Sequence, residues 1–358
     1  MGKRRDRTAA KNRAREREKQ RRQTGGDSDA EAAGPRLRFH PNGRPDFSNL
    51  PVDELSAADR RKLKRAALFA FVAERTRQAP EFLQWGLRPH PLEPGSRLAL
   101  DDASVPLDDQ PNLISSTARF PAMNASENLA AAAEVVALAL TKKQIRTSAV
   151  SVLCRTAMES SANTIWLISE RDPEERRRRC YGFIENERTW QGKFDEMSAA
   201  ALEARTDPLV VAQRARFQRH REQYAKRLGQ ITALPAEERT APPRFMKMVN
   251  DSADWADENM PRRTDPELES FVIPIGAKRF YSLGSGFVHG FKWAVDYVDD
   301  DADLLEMTLD AFQSALRMTE CAVSLFEAQS VGPDSPSRRR NYPVGLAETV
   351  AEWAPRYR

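Results

Sequence analysis

The 358-residue chain is poor in the residues that build disulfide frameworks and metal centres. It contains four histidines and only three cysteines, which are Cys154, Cys180 and Cys321. The cysteines are far apart, odd in number and without the short spacing of zinc ligands, so we expect no disulfide framework, no metal site and no cofactor. Free cysteines fit a reducing compartment, and a cytoplasmic location is the prediction.

The sequence also lacks a long hydrophobic run. A membrane-crossing helix needs about 20 consecutive apolar residues. The least charged segment, residues 147–169, still contains Arg155, Glu159 and many serine, threonine and asparagine residues. The basic N-terminus is not followed by the apolar stretch of a signal peptide. We therefore expect neither a membrane partner nor secretion.

Common catalytic motifs are missing as well. There is no Walker motif, no HExxH helix and no nucleophile elbow. The glycines in GSGFVHG, residues 284–290, have the spacing GxGxxxG, whereas a dinucleotide-binding turn has GxGxxG between the first strand and the helix of a βαβ unit. The sequence therefore gives no support to a nucleotide-dependent enzyme or a zinc protease.

Charge is distributed unevenly along the chain. The net charge is +4, but residues 1–22 contain eleven lysines and arginines against three acidic residues, a local balance of +8. Everything that follows therefore sums to −4. We expect residues 1–34 to form a disordered basic tail. Such a tail attracts nucleic acid without regard to sequence, and it can equally serve only to keep the protein in solution.

Proline separates the remaining chain into parts. Residues 35–121 contain eleven of the 23 prolines, which predicts irregular structure with one helix at about 56–79. From residue 122 the sequence has no proline or glycine until Pro173, and its composition favours helix. The sequence thus predicts an all-α fold, with a helical bundle over residues 122–330 and a loose C-terminal tail over residues 331–358, within which LAETVAEWA at residues 346–354 could dock on the bundle.

Residues 147–169 are expected to form the central helix of this bundle. They carry two charges, where the chain average of 30% would give about seven, so this helix has almost no polar face for solvent. The two charges, Arg155 and Glu159, are one helical turn apart and can pair. Since burying charge is costly, the pair is either a structural link between helices or part of a functional site.

A second weakly charged helix is predicted at about 276–298. Within it Tyr281, Ser285 and His289 follow one another at intervals of four residues and form a polar stripe. Three glycines in this helix would cost about 1 kcal/mol each relative to alanine, which indicates a close approach by another backbone or a ligand. We therefore predict that the stripe faces Arg155 and Glu159, and that these five residues form a polar cluster.

With its RxxxE helix and its later YxxxSxxxH helix, the chain resembles a group of uncharacterised bacterial helical proteins. More distantly, it is similar to the HEPN superfamily, many of whose members are RNA-cleaving toxins or phage-defence effectors. The resemblance implies a HEPN-like bundle, a homodimer and a metal-independent ribonuclease that uses the five-residue cluster. The HEPN motif, an arginine followed after four to six residues by histidine in one helix, is absent at His289, since the nearest preceding arginine is Arg279.

Two further segments are rich in arginine. RARFQRH places Arg214 six residues before His220, a formal match to the HEPN spacing that chance alone explains in a chain with 44 arginines. The candidate nucleic-acid-binding residues of these segments are Arg176, Arg177, Arg214, Arg216, Arg219 and Arg221. Together they can line a positive groove for RNA, although such residues also commonly form an ordinary solvated helix face.

Three functions remain open at this stage. The first is a non-catalytic helical module that binds RNA or a partner protein, in a stress, toxin–antitoxin or phage-defence context. The second is a ribonuclease in which His289 transfers protons, Arg155 stabilises phosphate charge, and Tyr281 or Ser285 orients the substrate. The third is structural polar packing, with the function on other surfaces.

Overall fold

The computed structural model describes residues 38–39, 45–46, 55–107, 110–142, 147–259, 273–335 and 339–358. The predicted disordered tail, residues 1–34, lies outside the described residues. The chain divides into two compact units, residues 1–60 and 61–358. In the first unit, strand β1 (Arg38–Phe39) pairs in antiparallel fashion with strand β2 (Pro45–Asp46).

The described part of the chain is mainly helical, which confirms the predicted all-α class. Its α-helices are α1 (Ala57–Thr76), α2 (Ala79–Leu87), α3 (Arg97–Ala103), α4 (Leu113–Lys142), α5 (Thr147–Ile168), α6 (Pro173–Glu203), α7 (Val210–Thr232), α8 (Phe245–Asn259), α9 (Ile273–Val288), α10 (Asp301–Ser330) and α11 (Leu346–Trp353). Short 3₁₀ turns occupy Ala236–Glu238, Lys292–Val295 and Ala354–Tyr357. Among these described helices, none has the combination of length and apolar character that crossing a membrane requires.

The proline-rich segment contains more helix than its composition indicates. The sequence predicted one helix there, but α1, α2 and α3 all form, and α4 begins before residue 122. Pro80 lies in the first turn of α2, where its missing N–H costs nothing, and Ser96 caps α3 by accepting from Ala99 N. Pro121 lies inside α4. Prolines at helix starts therefore made this region look less regular than it is.

The centre of the bundle is α10 rather than the predicted α5. Every residue from Ser314 to Ser330 is buried, whereas α5 leaves Val152 exposed. Helix α5 packs mainly against α4 and α10, and also contacts α8 and α9. A low density of charge did not identify α10 as the central helix, because α10 itself carries the charged residues Arg317, Glu320 and Glu327. These charges are buried because each is paired inside the core.

The C-terminal segment is docked on the bundle and not loose as predicted. Helix α11 packs against α10, and both Trp353 and Tyr357 are buried. Tyr357 Oη donates a hydrogen bond to the carbonyl oxygen of Ser169, 3.3 Å away. Burial of these two aromatic rings, with the hydrogen bond, outweighs the entropy cost of ordering a short C-terminal helix.

Helices α6 and α7 form an antiparallel hairpin. Asp172 caps α6, with Pro173 at its first position, as the sequence predicted. Beyond Ile184 most side chains of both helices are exposed, and α7 packs mainly on α6. Tyr224 Oη donates a hydrogen bond to the Arg188 carbonyl oxygen, which ties α7 to α6. The hairpin thus carries a large solvent-exposed helical surface.

Candidate functional site

The structure brings three of the five predicted cluster residues together between α5 and α9. Arg155 Nε donates to Glu159 Oε1 at 2.9 Å, and Tyr281 Oη donates to the same oxygen at 2.8 Å. Arg155 Nη2 donates to Tyr281 Oη at 3.2 Å, and its guanidinium lies 4.6 Å from the centre of the tyrosine ring. These contacts form a closed polar triangle, which we call the Arg155 triad.

Electrostatics keep Tyr281 and Arg155 each in one protonation state near neutral pH. Burial raises the pKa of Tyr281 to about 12, and the hydrogen bond to Glu159 acts in the same direction. Burial alone would lower the pKa of Arg155, but the bond and charge of Glu159 raise it. Tyrosine therefore stays neutral and arginine charged, and neither is suited to exchange a proton at pH 7.

Ser285 and His289 do not join the triad. Helix α9 ends at Val288, and His289 lies just beyond it, exposed, with its ring 5.4 Å from that of Phe291. Among the described residues, no hydrogen bond or ion pair links either side chain to the triad. The predicted five-residue cluster is therefore wrong in these two members, because a stripe at four-residue intervals drifts by about 80° over eight residues and the helix ends first.

Gly286 of α9 and Gly290, just beyond its end, serve packing and a turn. A Cβ atom on Gly286 would lie 2.9 Å from the Trp293 side chain, so only glycine lets the following 3₁₀ turn fold back against α9. Gly290 has a φ of +65°, the left-handed conformation that ends the helix. The sequence predicted a close approach by another backbone or a ligand, but the groups that approach Gly286 closely are the side chains of Trp293 and Ala294.

Arg176 is not a nucleic-acid-binding residue, contrary to the prediction. Its side chain is fully buried, with Nε and Nη2 donating to the Asp101 carboxylate at 2.7 and 3.0 Å. Its Nη1 donates to the carbonyl oxygens of Glu170 and Arg171. Arg177 is mostly covered and pairs with Glu174. Asp101 belongs to α3, which the sequence assigned to irregular structure, so this buried pair was not predictable.

The remaining candidate arginines lie on α7. Arg214 donates to the carbonyl oxygens of Leu202, Glu203 and Arg205, and thereby caps the C-terminal end of α6. Arg221 lies 6.0 Å from the ring of Phe217. Arg216 and Arg219 are exposed and form no ion pair with any described residue.

Arg216, Arg219, His220 and Arg227 form what we call the basic stripe. All four are exposed and fall within about 100° of the helix circumference. The stripe spans twelve residues, from Arg216 to Arg227, or roughly 16 Å of helix. The one acidic residue of α7, Glu222, lies outside this arc. The stripe is therefore a row of three arginines and one histidine that form no ion pair with any described residue.

An apolar strip lies on the other face of the hairpin. Trp190, Phe194 and Met197 of α6 point away from α7, and Trp190 keeps 64% of its surface exposed. Lys193 Nζ lies 4.5 Å from the centre of the Trp190 ring. One face of the hairpin is therefore basic and the other is apolar, so the two faces suit different kinds of partner.

Sequence reasoning missed a buried network around Glu327 of α10. Glu327 is fully buried and accepts hydrogen bonds from Trp85 Nε1 at 2.8 Å, Tyr342 Oη at 2.5 Å and Arg339 Nη1 at 3.3 Å. Burial alone would raise the pKa of Glu327. The hydrogen bonds from these donors, together with neighbouring His90, outweigh burial and lower this pKa. The network joins α2, α10 and the C-terminal segment, and residues up to 242 positions apart meet in it.

Within the described residues, no group of three histidine, cysteine, aspartate or glutamate side chains could hold a metal ion. Comparison with protein-family models, curated proteins and solved structures finds no match to this chain. The function is therefore inferred from the geometry of the chain itself.

Proposed function

We propose that this protein is a non-catalytic helical module that binds RNA, and that the hairpin of α6 and α7 is its binding surface. The observation that carries the proposal is the basic stripe. Its three arginines have no ion-pair partner among the described residues, so binding RNA breaks no existing salt bridge of theirs. Phosphate binding releases counterions from the nucleic acid, and this release supplies much of the affinity.

Arginine is well suited to this role. Its planar guanidinium donates two parallel hydrogen bonds to a phosphate and remains charged at every physiological pH. Three arginines spread over about 16 Å of one helix face can engage successive phosphates of a strand. The basic tail at residues 1–22 adds a local charge of +8 that would strengthen the long-range attraction.

The ribonuclease alternative has weaker support. A metal-independent mechanism needs a group that exchanges protons near neutral pH. His289 is the candidate for this task, and it lies outside the Arg155 triad. The relationship to HEPN proteins, the homodimer and the defence context stay predictions.

Fluorescence anisotropy with labelled single-stranded RNA tests the proposal. The test variant is the double charge reversal Arg216→Glu, Arg219→Glu. The control is Arg88→Glu, Arg244→Glu, which makes the same change in net charge at two exposed arginines outside the hairpin. We expect the stripe variant to lose at least about tenfold in affinity for RNA, since each phosphate contact contributes to binding, and the control to lose much less.

Equal losses in both variants would show general charge attraction and contradict the assignment to α7. No RNA binding by the wild type would overturn the proposed function. In that case, loss of a captured protein partner in a Trp190→Ala, Phe194→Ala variant would instead identify the apolar strip as a protein-binding surface.

A further inference from the structure

A cavity of about 640 Å³ lies between α4, α5, α6 and the C-terminal half of α7. Ligand-binding cavities typically have volumes of roughly 300–1,000 Å³. The cavity is lined by side chains of several different chemistries: Phe120 and Asn124 of α4, Ser160 and Asn163 of α5, Arg188 of α6, and Arg227 of α7. Arg227 also belongs to the basic stripe, so the C-terminal end of the stripe lies at the cavity.

The cavity contains hydrogen-bonding groups that the fold leaves unused. Asn163 Oδ1 is buried from solvent and has no hydrogen-bond partner. Ser160 Oγ accepts a hydrogen bond from Asn124 Nδ2 at 2.7 Å, so its own O–H is still available to donate. Buried polar groups are almost always paired in native proteins. The cavity wall therefore offers one acceptor, Asn163 Oδ1, and one donor, the Ser160 O–H, to a ligand with a polar edge.

An aromatic side chain stands at the rim. Phe120 keeps 69% of its surface exposed although it lies on α4, whose other face is in the core. Exposed aromatic rings beside a polar cavity provide stacking surfaces, and every nucleobase has a flat face that can stack on one.

Positive charge is available at the same place. Arg188 Nε is buried without a hydrogen-bond partner, while its Nη1 donates to Gln191 Oε1 at 2.7 Å. Arg227 is exposed and has no ion pair with a described residue. The lining also contains one carboxylate, Glu187, which leaves this part of the cavity with a charge of +1. A carboxylate here can accept a hydrogen bond from a ribose hydroxyl.

We propose that the cavity binds the base of one unstacked nucleotide of single-stranded RNA. Asn163 and Ser160 hydrogen-bond the polar edge of this base, Phe120 stacks on its face, and Arg227 binds the adjoining phosphate. This inference rests on the proposed function, because it assigns the basic stripe to the flanking phosphates. Duplex RNA cannot bind in this way, since its bases are paired and stacked.

The test measures the affinity of the full-length protein for four labelled single-stranded RNA homopolymers and for one RNA duplex. We expect the wild type to prefer one homopolymer over the weakest by about tenfold, because an unmet hydrogen bond at a buried polar group weakens binding of the wrong base. Asn163→Ala should reduce this ratio to about one while it leaves the weakest affinity unchanged. Asn186→Ala, an exposed asparagine on α6 outside the cavity, is the matched control.

Phe120→Ala is the second variant, since an exposed side chain can be removed without harm to the core. It should weaken the preferred homopolymer by about fivefold or more through lost stacking. A wild type that binds all homopolymers equally, or binds the duplex as well as the single strand, would overturn the base-binding cavity and leave the RNA-binding function intact. The absence of any RNA binding would overturn both.

Discussion

Tyr281 Oη donates a hydrogen bond to Glu159 Oε1 across the interface of α9 and α5, over 2.8 Å. The same hydroxyl accepts from Arg155 Nη2, so it links both members of the ion pair. One hydroxyl group therefore completes the packing of two helices by joining residues that are 122 positions apart in the sequence.

Removal of this hydroxyl should destabilise the protein. We expect Tyr281→Phe to lower the free energy of unfolding by about 1.5 kcal/mol, because a buried hydrogen bond to a charged group is lost. Urea unfolding followed by circular dichroism measures the change. Tyr297→Phe, at an exposed tyrosine, is the control and should change it by less than about 0.5 kcal/mol. Equal effects of the two substitutions would contradict this role for the triad.

Alkaline pH should weaken the same contact. The pKa of Tyr281 is raised to about 12 in the folded protein, from an ordinary value of 10.0. Because the pKa of Tyr281 is higher in the folded protein than in the unfolded chain, the stabilisation that Tyr281 provides is complete below pH 10. This stabilisation is lost as the pH rises towards 12. The free energy of unfolding should therefore fall less steeply in Tyr281→Phe than in the wild type over this interval. Parallel curves would show that Tyr281 titrates normally.

Loss of the buried Glu327 carboxylate should destabilise the protein. Glu327→Gln removes the charge to which Arg339, Tyr342 and Trp85 donate hydrogen bonds, and we expect a loss of about 3 kcal/mol in the free energy of unfolding. Glu348→Gln, on the exposed face of α11, is the control and should have almost no effect. A loss below about 1 kcal/mol in Glu327→Gln would show that this network does not hold the C-terminal segment.

Glu327 should also contribute to acid sensitivity. The pKa of Glu327 in the folded protein lies below the ordinary value of 4.5. The stabilisation that Glu327 provides is therefore present above pH 4.5 and is lost as the pH falls below this value. The difference in unfolding free energy between the wild type and Glu327→Gln should therefore shrink below pH 4.5. A constant difference across this range would contradict the lowered pKa.

Two glycines in the hairpin should respond to alanine in opposite directions. A Cβ atom on Gly182 would lie 2.1 Å from the carbonyl oxygen of Thr240, whereas on Gly229 it would meet nothing within 4 Å. We expect Gly182→Ala to destabilise the protein by about 2 kcal/mol, since backbone atoms must move. Gly229→Ala should stabilise it by up to about 1 kcal/mol through helix propensity. Thermal unfolding of both variants gives the comparison, and a shared sign would refute the packing argument.

The all-α class was predictable because helix formation depends on local composition and periodicity. Asp172 and Pro173 are one example, since a cap and a first-position proline lie next to each other in the sequence. The pairing of Arg155 with Glu159 was predictable for the same reason, as both lie on one helix turn.

Contacts between distant residues could not be read in the same way. In the sequence, Arg176 is one of several arginines that could be exposed. Only the fold shows that its side chain is buried and paired with Asp101, 75 residues earlier. His289 fits the spacing of the polar stripe, but the end of α9 at Val288 places it outside the triad. The position of a helix end and the choice of a distant partner depend on tertiary packing, which composition does not report.

The salt dependence of RNA binding tests the central claim most directly. For single strands the logarithm of the affinity falls with the logarithm of salt concentration by about 0.7 for each phosphate bound. We predict that Arg219→Gln and Arg216→Gln each reduce this slope by about 0.7, while Arg88→Gln leaves it unchanged. An unchanged slope in both stripe variants would show that α7 does not bind the RNA backbone, and would contradict the proposed function of the hairpin.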